Sequence, residues 1–169
     1  MPRRSSQSSP RELAPGCFSP DVKEMLRLLA EENAQYLIVG GEAVIFHGYA
    51  RFTGDVDIFY DGKKSNAEAI YRALHRFWDG DIPEVKDAGE FMIPGIVIQF
   101  GRPPHRIDFL NQIDGVVFSK AWESRIEAHL PCGQGALSVP YINLECLLEN
   151  KRASGRSKDR DDIEFLSGS

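Results

Sequence analysis

The sequence predicts an α/β fold: a small mixed β-sheet with flanking helices and a short C-terminal helical tail. Three observations carry this. Tyr36–Val39 is an apolar run of strand length stopped by Gly40-Gly41. Val56–Tyr60, Ile96–Phe100 and Arg106–Leu110 are further strand-length runs bounded by turn residues. Between and after them lie segments whose apolar residues recur at helical spacing. At 169 residues, 42% hydrophobic and 27% charged, the chain is long enough to bury one core without disulfides or a structural metal.

Residues 1–18 are rich in Ser, Pro and Arg and poor in large apolar groups, so they are expected to form a flexible tail, with a single domain over 19–169. Their composition also has an organelle-transit character, although a plain tail is the simpler reading. Ser19-Pro20-Asp21 supplies an N-cap, a first-turn proline and a first-turn acid. Val22, Met25, Leu26 and Leu29 continue that helix to about Asn33. Tyr36–Val39 is a strand, and Glu42–His47 a short helix leaving the Gly-Gly turn. Gly48–Gly54 is a connector, and Val56–Tyr60 a strand closed by Asp61-Gly62.

Ser65 with Glu68 fits a capping box for a helix along Ile70, Ala73, Leu74 and Phe77. Asp79–Glu90 is mostly loop. The runs on either side of Gly101–His105 form a hairpin that places Asp108 in mid-strand. Phe118–Leu130 is ambiguous, with a short helix from Ser119 as one reading, and Ala136–Val139 is a last strand before Pro140. Asn143–Arg152 is helical with Leu144, Leu147 and Leu148 inward. Ser157 caps a final helix carrying Ile163, Phe165 and Leu166.

A net charge of −5 argues against general nucleic-acid affinity through overall charge. Cys17, Cys132 and Cys146 are odd in number and widely spaced, so neither a disulfide framework nor a zinc site is suggested. No run approaches the roughly 18 apolar residues of a membrane span, and no signal core is evident; a cytoplasmic protein without a membrane partner is expected.

Side chains two apart on a strand share a face, so Asp55 and Asp57 project together, away from Val56 and Ile58. Adjacent carboxylates repel unless a cation lies between them, and Mg²⁺, which takes oxygen ligands and substrate phosphates, suits the pair. If the Asp108 strand lies beside them, three acids can hold two metal ions for phosphoryl transfer. Gly40 and Gly41 leave backbone amides open to a phosphate. Lys151, Arg152, Arg156, Lys158 and Arg160 place five cations in ten residues, a source of charge for a triphosphate. Lys158 is the first candidate for that contact and Lys151 another. His47 reads as a core histidine, His105 as exposed, and Trp78 and Trp122 as packing residues.

With Gly40-Gly41, a short helix, Asp55-Val56-Asp57-Ile58 and an apolar-flanked Asp108, the chain resembles the polymerase-β-like nucleotidyltransferase superfamily. Val39–Ala43 with Arg51, Thr53, Asp55 and Asp57, and the tail Lys151–Ile163, are similar to the minimal AbiE-type toxin nucleotidyltransferases. The resemblance covers about residues 20–166. It implies that Asp55, Asp57 and Asp108 are catalytic and bind Mg²⁺, as one or two ions, with Asp108 acting as ligand or base. It also implies an NTP co-substrate such as ATP contacted by Gly40, Gly41, Arg51, Thr53, Lys151 and Lys158. Transfer of an NMP group to a hydroxyl of RNA, protein or a small molecule would release pyrophosphate, and a toxin of this kind would have an antitoxin partner. Glu42 departs from the Ser or Thr that commonly follows the second glycine. Two other readings therefore stay open: a catalytically weakened relative that binds nucleotide or a partner protein, and a transferase acting on an antibiotic-like small molecule.

Overall fold

The computed structural model describes residues 10–168. Its seven strands form one mixed sheet: β1 (Arg11–Glu12), β2 (Tyr36–Val39), β3 (Asp55–Tyr60), β4 (Val97–Phe100), β5 (Arg106–Leu110), β6 (Ile126–Cys132) and β7 (Gly135–Tyr141), in the order β1-β6-β7-β2-β3-β5-β4. The helices are α1 (Pro20–Glu31), α2 (Gly40–Phe46), α3 (Lys64–Phe77), α4 (Phe118–Glu123), α5 (Leu144–Ser154) and α6 (Ser157–Ser167). The α/β class, the mixed sheet and the helical tail are as the sequence predicts. Among the described residues no helix is long and apolar enough to cross a membrane.

The site is positioned by four neighbouring strands. β2 runs antiparallel to β3, with Val39 opposite Asp57. β3 and β5 are parallel, pairing Asp55 with Arg106 and Asp57 with Asp108, and β4 lies antiparallel to β5 with Gln99 opposite Asp108. Strand alternation sends Val56, Ile58, Tyr60, Ile107 and Phe109 into the core on one side, all at most 7% exposed, and the acids to the other. Ser19 caps α1 by accepting from the Val22 N–H, and buried Met25, Leu26 and Leu29 form its inner face.

Several elements differ from expectation. Of the tail expected over 1–18, residues 1–9 lie outside the described residues. Arg11–Glu12, however, pairs in parallel with Ala128–His129 of β6, and Phe18 is buried. No side chain caps α3; Asn66 instead satisfies the Gln35 N–H and donates to the Gln35 and Asp61 carbonyls, so the Ser65–Glu68 box does not form. The ambiguous 118–130 stretch divides into α4 and β6, the latter showing alternation only at Ala128 and Leu130. β7 continues through Pro140, one residue before its pairing with β2 at Tyr141, so the missing proline N–H falls where that ladder has only begun.

The inward faces of the last two helices also differ. In α5, Cys146, Leu147 and Lys151 are buried and Leu144 is 36% exposed. In α6 the buried residues are Asp159 and Asp162, while Phe165 is exposed and stacks on Tyr49 with ring centroids 4.2 Å apart. Arg156, not Ser157, is the α6 N-cap residue, and its N–H donates to the Asp159 carboxylate at 3.1 Å.

Candidate active site

The parallel register of β3 and β5 sets Asp55, Asp57, Arg106 and Asp108 in a block on one face of the sheet. One carboxylate oxygen from each of Asp55, Asp57 and Asp108 lies within 4.8 Å of the others. The two strands that the sequence could not pair are therefore adjacent, and the third acid joins the first two.

The glycines before them accommodate side chains of the site itself. Gly40 has φ +62°, and a Cβ there would lie 2.1 Å from Asp57 Oδ2. A Cβ on Gly41 would lie 2.6 Å from Thr53 Oγ1, which itself donates to the Asp55 carbonyl at 3.2 Å. Room for Asp57 and Thr53 is thus a sufficient reason for both glycines, beside the phosphate approach expected of them. They form the first residues of α2 rather than a separate turn.

Burial and the neighbouring carboxylates Asp55 and Asp108 push Asp57 up to about 7, against the opposing charges of Arg106 and Lys158. Burial, then Asp57 and Asp55, push Glu42 up to about 7 as well, so the residue in the Ser/Thr position feels the same field. Burial also raises Asp108, although Gln99 and Arg106 work in the opposite direction.

Arg106 was not singled out from the sequence. Its guanidinium reaches Asp55 Oδ2 at 2.7 Å and Asp108 Oδ2 at 3.1 Å, with Nε 2.9 Å from Asp108 Oδ1. That last approach lacks hydrogen-bond geometry, leaving Asp108 Oδ1 and Arg106 Nε both buried without a hydrogen-bond partner. Gln99 donates to Asp108 Oδ2 at 3.1 Å. The spacing of two between Arg106 and Asp108 was the available signal, since it puts both on one strand face.

A cluster of three carboxylates, an all-oxygen donor set, fits a hard divalent cation such as Mg²⁺. Two cavities flank the acids. One of about 260 Å³ opens beside Gly40 and Asp57 and extends to Asn150, Lys151 and Arg156. The other, about 540 Å³, opens beside Gln99, Arg102 and Arg106.

The C-terminal cations divide into two kinds. Lys151 is 5% exposed, and its ammonium lies 2.9 Å from Asp159 and 3.0 Å from Asp162. Arg51 Nε lies 2.9 Å from Asp162, so the 48–54 connector and both C-terminal helices share one buried ion network. Burial opposes ionisation of Asp159, but Lys151 and the Ser154 hydroxyl hold its carboxyl below the usual range. Lys151 and Arg51, expected at the nucleotide, are thus engaged by acids. Lys158, at the start of α6, is exposed, and its charge reaches Asp57. His47 is half-buried with Nε2 2.8 Å from the Ile142 carbonyl oxygen, and His105 is exposed.

A family model described as "Nucleotidyltransferase of unknown function (DUF6036)" matches residues 20–166. No curated protein matches the chain.

Proposed function

We propose, from the premise that this chain belongs to the family of nucleotidyltransferases of unknown function whose model spans residues 20–166, that it moves an NMP group from an NTP to a hydroxyl acceptor and releases pyrophosphate. The observation that carries this reading is the convergence of Asp55, Asp57 and Asp108 to within 4.8 Å beside an open cavity. Mg²⁺, when bound, would lower the pKa of the attacking hydroxyl and neutralise developing charge on the phosphates.

The chain's own residues supply the rest. Asp55, Asp57 and Asp108 would hold the metal. The Gly40–Gly41 backbone and Lys158 receive the triphosphate on the smaller cavity's side, with Arg51 and Thr53 fixing the connector behind it. Lys151 holds α6, and so Lys158, in place. The acceptor enters from the larger cavity, beside Gln99 and Arg106, and Asp108 would take its proton.

The resemblance to AbiE-type toxins extends the proposal to a cytoplasmic toxin acting on RNA or protein and restrained by an antitoxin. A weakened, nucleotide-binding relative is the second reading, favoured by the field that Glu42 shares with Asp57 and Asp55. Incubating the protein with labelled ATP, CTP, GTP or UTP, Mg²⁺ and a cell extract tests both. Label transferred by wild type and lost in Asp57→Asn supports transfer. Metal-dependent nucleotide binding without transfer supports the second reading, and no binding of any nucleotide refutes both.

A further inference from the structure

We infer that Arg106 is a built-in counter-cation that occupies the acid site before metal binding and must leave Asp55 and Asp108 for the metal to enter. The inference rests on the metal-dependent reading above and adds a positioning residue to it. Register is the first ground. Arg106 stands directly opposite Asp55 and two residues before Asp108, so its guanidinium is delivered onto the metal-facing side of the sheet by backbone pairing alone. A chance surface ion pair would have no such constraint.

Geometry is the second ground. The fork spans two of the three acids, at 2.7 Å to Asp55 and 2.9–3.1 Å to Asp108, leaving Asp57 without a cation contact of its own. A guanidinium and a divalent ion compete here, because each approaches the same carboxylates directly.

The pair also stands where it can open. Asp108 Oδ1 and Arg106 Nε face one another at 2.9 Å without a hydrogen bond and are otherwise unsatisfied. Arg106 remains 30% exposed and lines the cavity of about 540 Å³, which gives the side chain somewhere to go. Its departure uncovers Asp108 Oδ1 toward that cavity and brings a guanidinium to the mouth through which the acceptor enters. Arg106 thus stabilises the three acids while the metal is absent, competes with the metal, and faces the acceptor cavity once displaced.

The test measures Mn²⁺ binding to nucleotide-free protein by paramagnetic resonance, alongside thermal denaturation in EDTA. Arg106→Gln is expected to bind Mn²⁺ roughly 5- to 10-fold more tightly than wild type, the scale of one partly exposed ion pair. The same variant is expected to melt lower in EDTA, because the acids then repel unopposed. Opposite signs in the two measurements separate this role from a merely structural one, which would weaken both.

Arg106→Lys should return both values toward wild type. Arg102→Gln, removing an equal charge from the same cavity wall, should change Mn²⁺ affinity less. Unchanged or weaker Mn²⁺ binding by Arg106→Gln, an equal effect from Arg102→Gln, or no Mn²⁺ binding by either protein overturns the inference. Tighter binding by Arg106→Gln together with a wild type that transfers no label to any acceptor would strike the transfer reading and leave this one standing.

Discussion

Replacing Asp57 with Asn should stabilise the metal-free protein above neutral pH, although it removes one of the three clustered acids. Burial and two carboxylate neighbours raise Asp57 from 3.8 to about 7 in the folded chain. A raised carboxylate pKa means that the folded state binds more protons than the unfolded state between these two values, so stability falls as pH rises across that window. The difference is roughly three units, and at 1.36 kcal/mol each the ionised side chain costs up to about 4 kcal/mol at pH 8. Asparagine resembles the protonated form and avoids that cost. For a chain of this size each kcal/mol moves Tm by roughly 2–4 °C, so Asp57→Asn should melt several degrees above wild type at pH 8 in EDTA. At pH 4 the two should nearly coincide. Adding Mg²⁺ should reverse the order by stabilising only wild type. The assay is thermal denaturation from pH 4 to 8.5, with and without metal. A variant less stable than wild type at pH 8 in EDTA, or one with the same pH slope, would refute the reasoning.

Other perturbations probe the surrounding structure. Lys151→Met leaves Asp159 buried without its cation and Asp162 with Arg51 alone, and should cost about 3–5 kcal/mol in urea denaturation, with α6 the first segment to lose amide protection in hydrogen exchange. Gly40→Ala forces a Cβ to 2.1 Å from Asp57 Oδ2 at a left-handed backbone position, so it should destabilise the fold by about 1–3 kcal/mol and weaken Mn²⁺ binding together. Metal affinity of wild type should rise with pH through about 7, as Asp57 and Glu42 lose their protons. Glu42→Gln removes one of those repelling charges and should shift the rise toward lower pH, as a Mn²⁺ titration at several pH values would show.

The acids were legible because their message is local: a spacing of two on a strand fixes a shared face whatever the strand pairs with. That Asp108 joins them depended on β5 lying beside β3, which the hairpin at 97–110 permitted but did not dictate. Arg106 was hidden for the same reason, since its partner Asp55 is 51 residues away and only the register brings them opposite. α6 misled in another way. Its apolar residues Ile163, Phe165 and Leu166 are not its buried ones; Asp159 and Asp162 turn inward because Lys151 and Arg51 wait there. An ion network between distant segments outweighs a weak apolar pattern. At the N-terminus, a polar stretch that could not build its own core found a ready-made edge on β6 instead.

The Arg51–Asp162 contact joins residues 111 positions apart, one in the connector that carries Thr53 and the other in the last helix. During synthesis the strand bearing Asp55 and Asp57 leaves the ribosome long before its connector has an anchor. Chain-closure entropy of that size is offset only when α6 docks, so the 48–54 connector is anchored late. A chain ending before Asp162 would display its acids without the clamp that ties the 48–54 connector to α6.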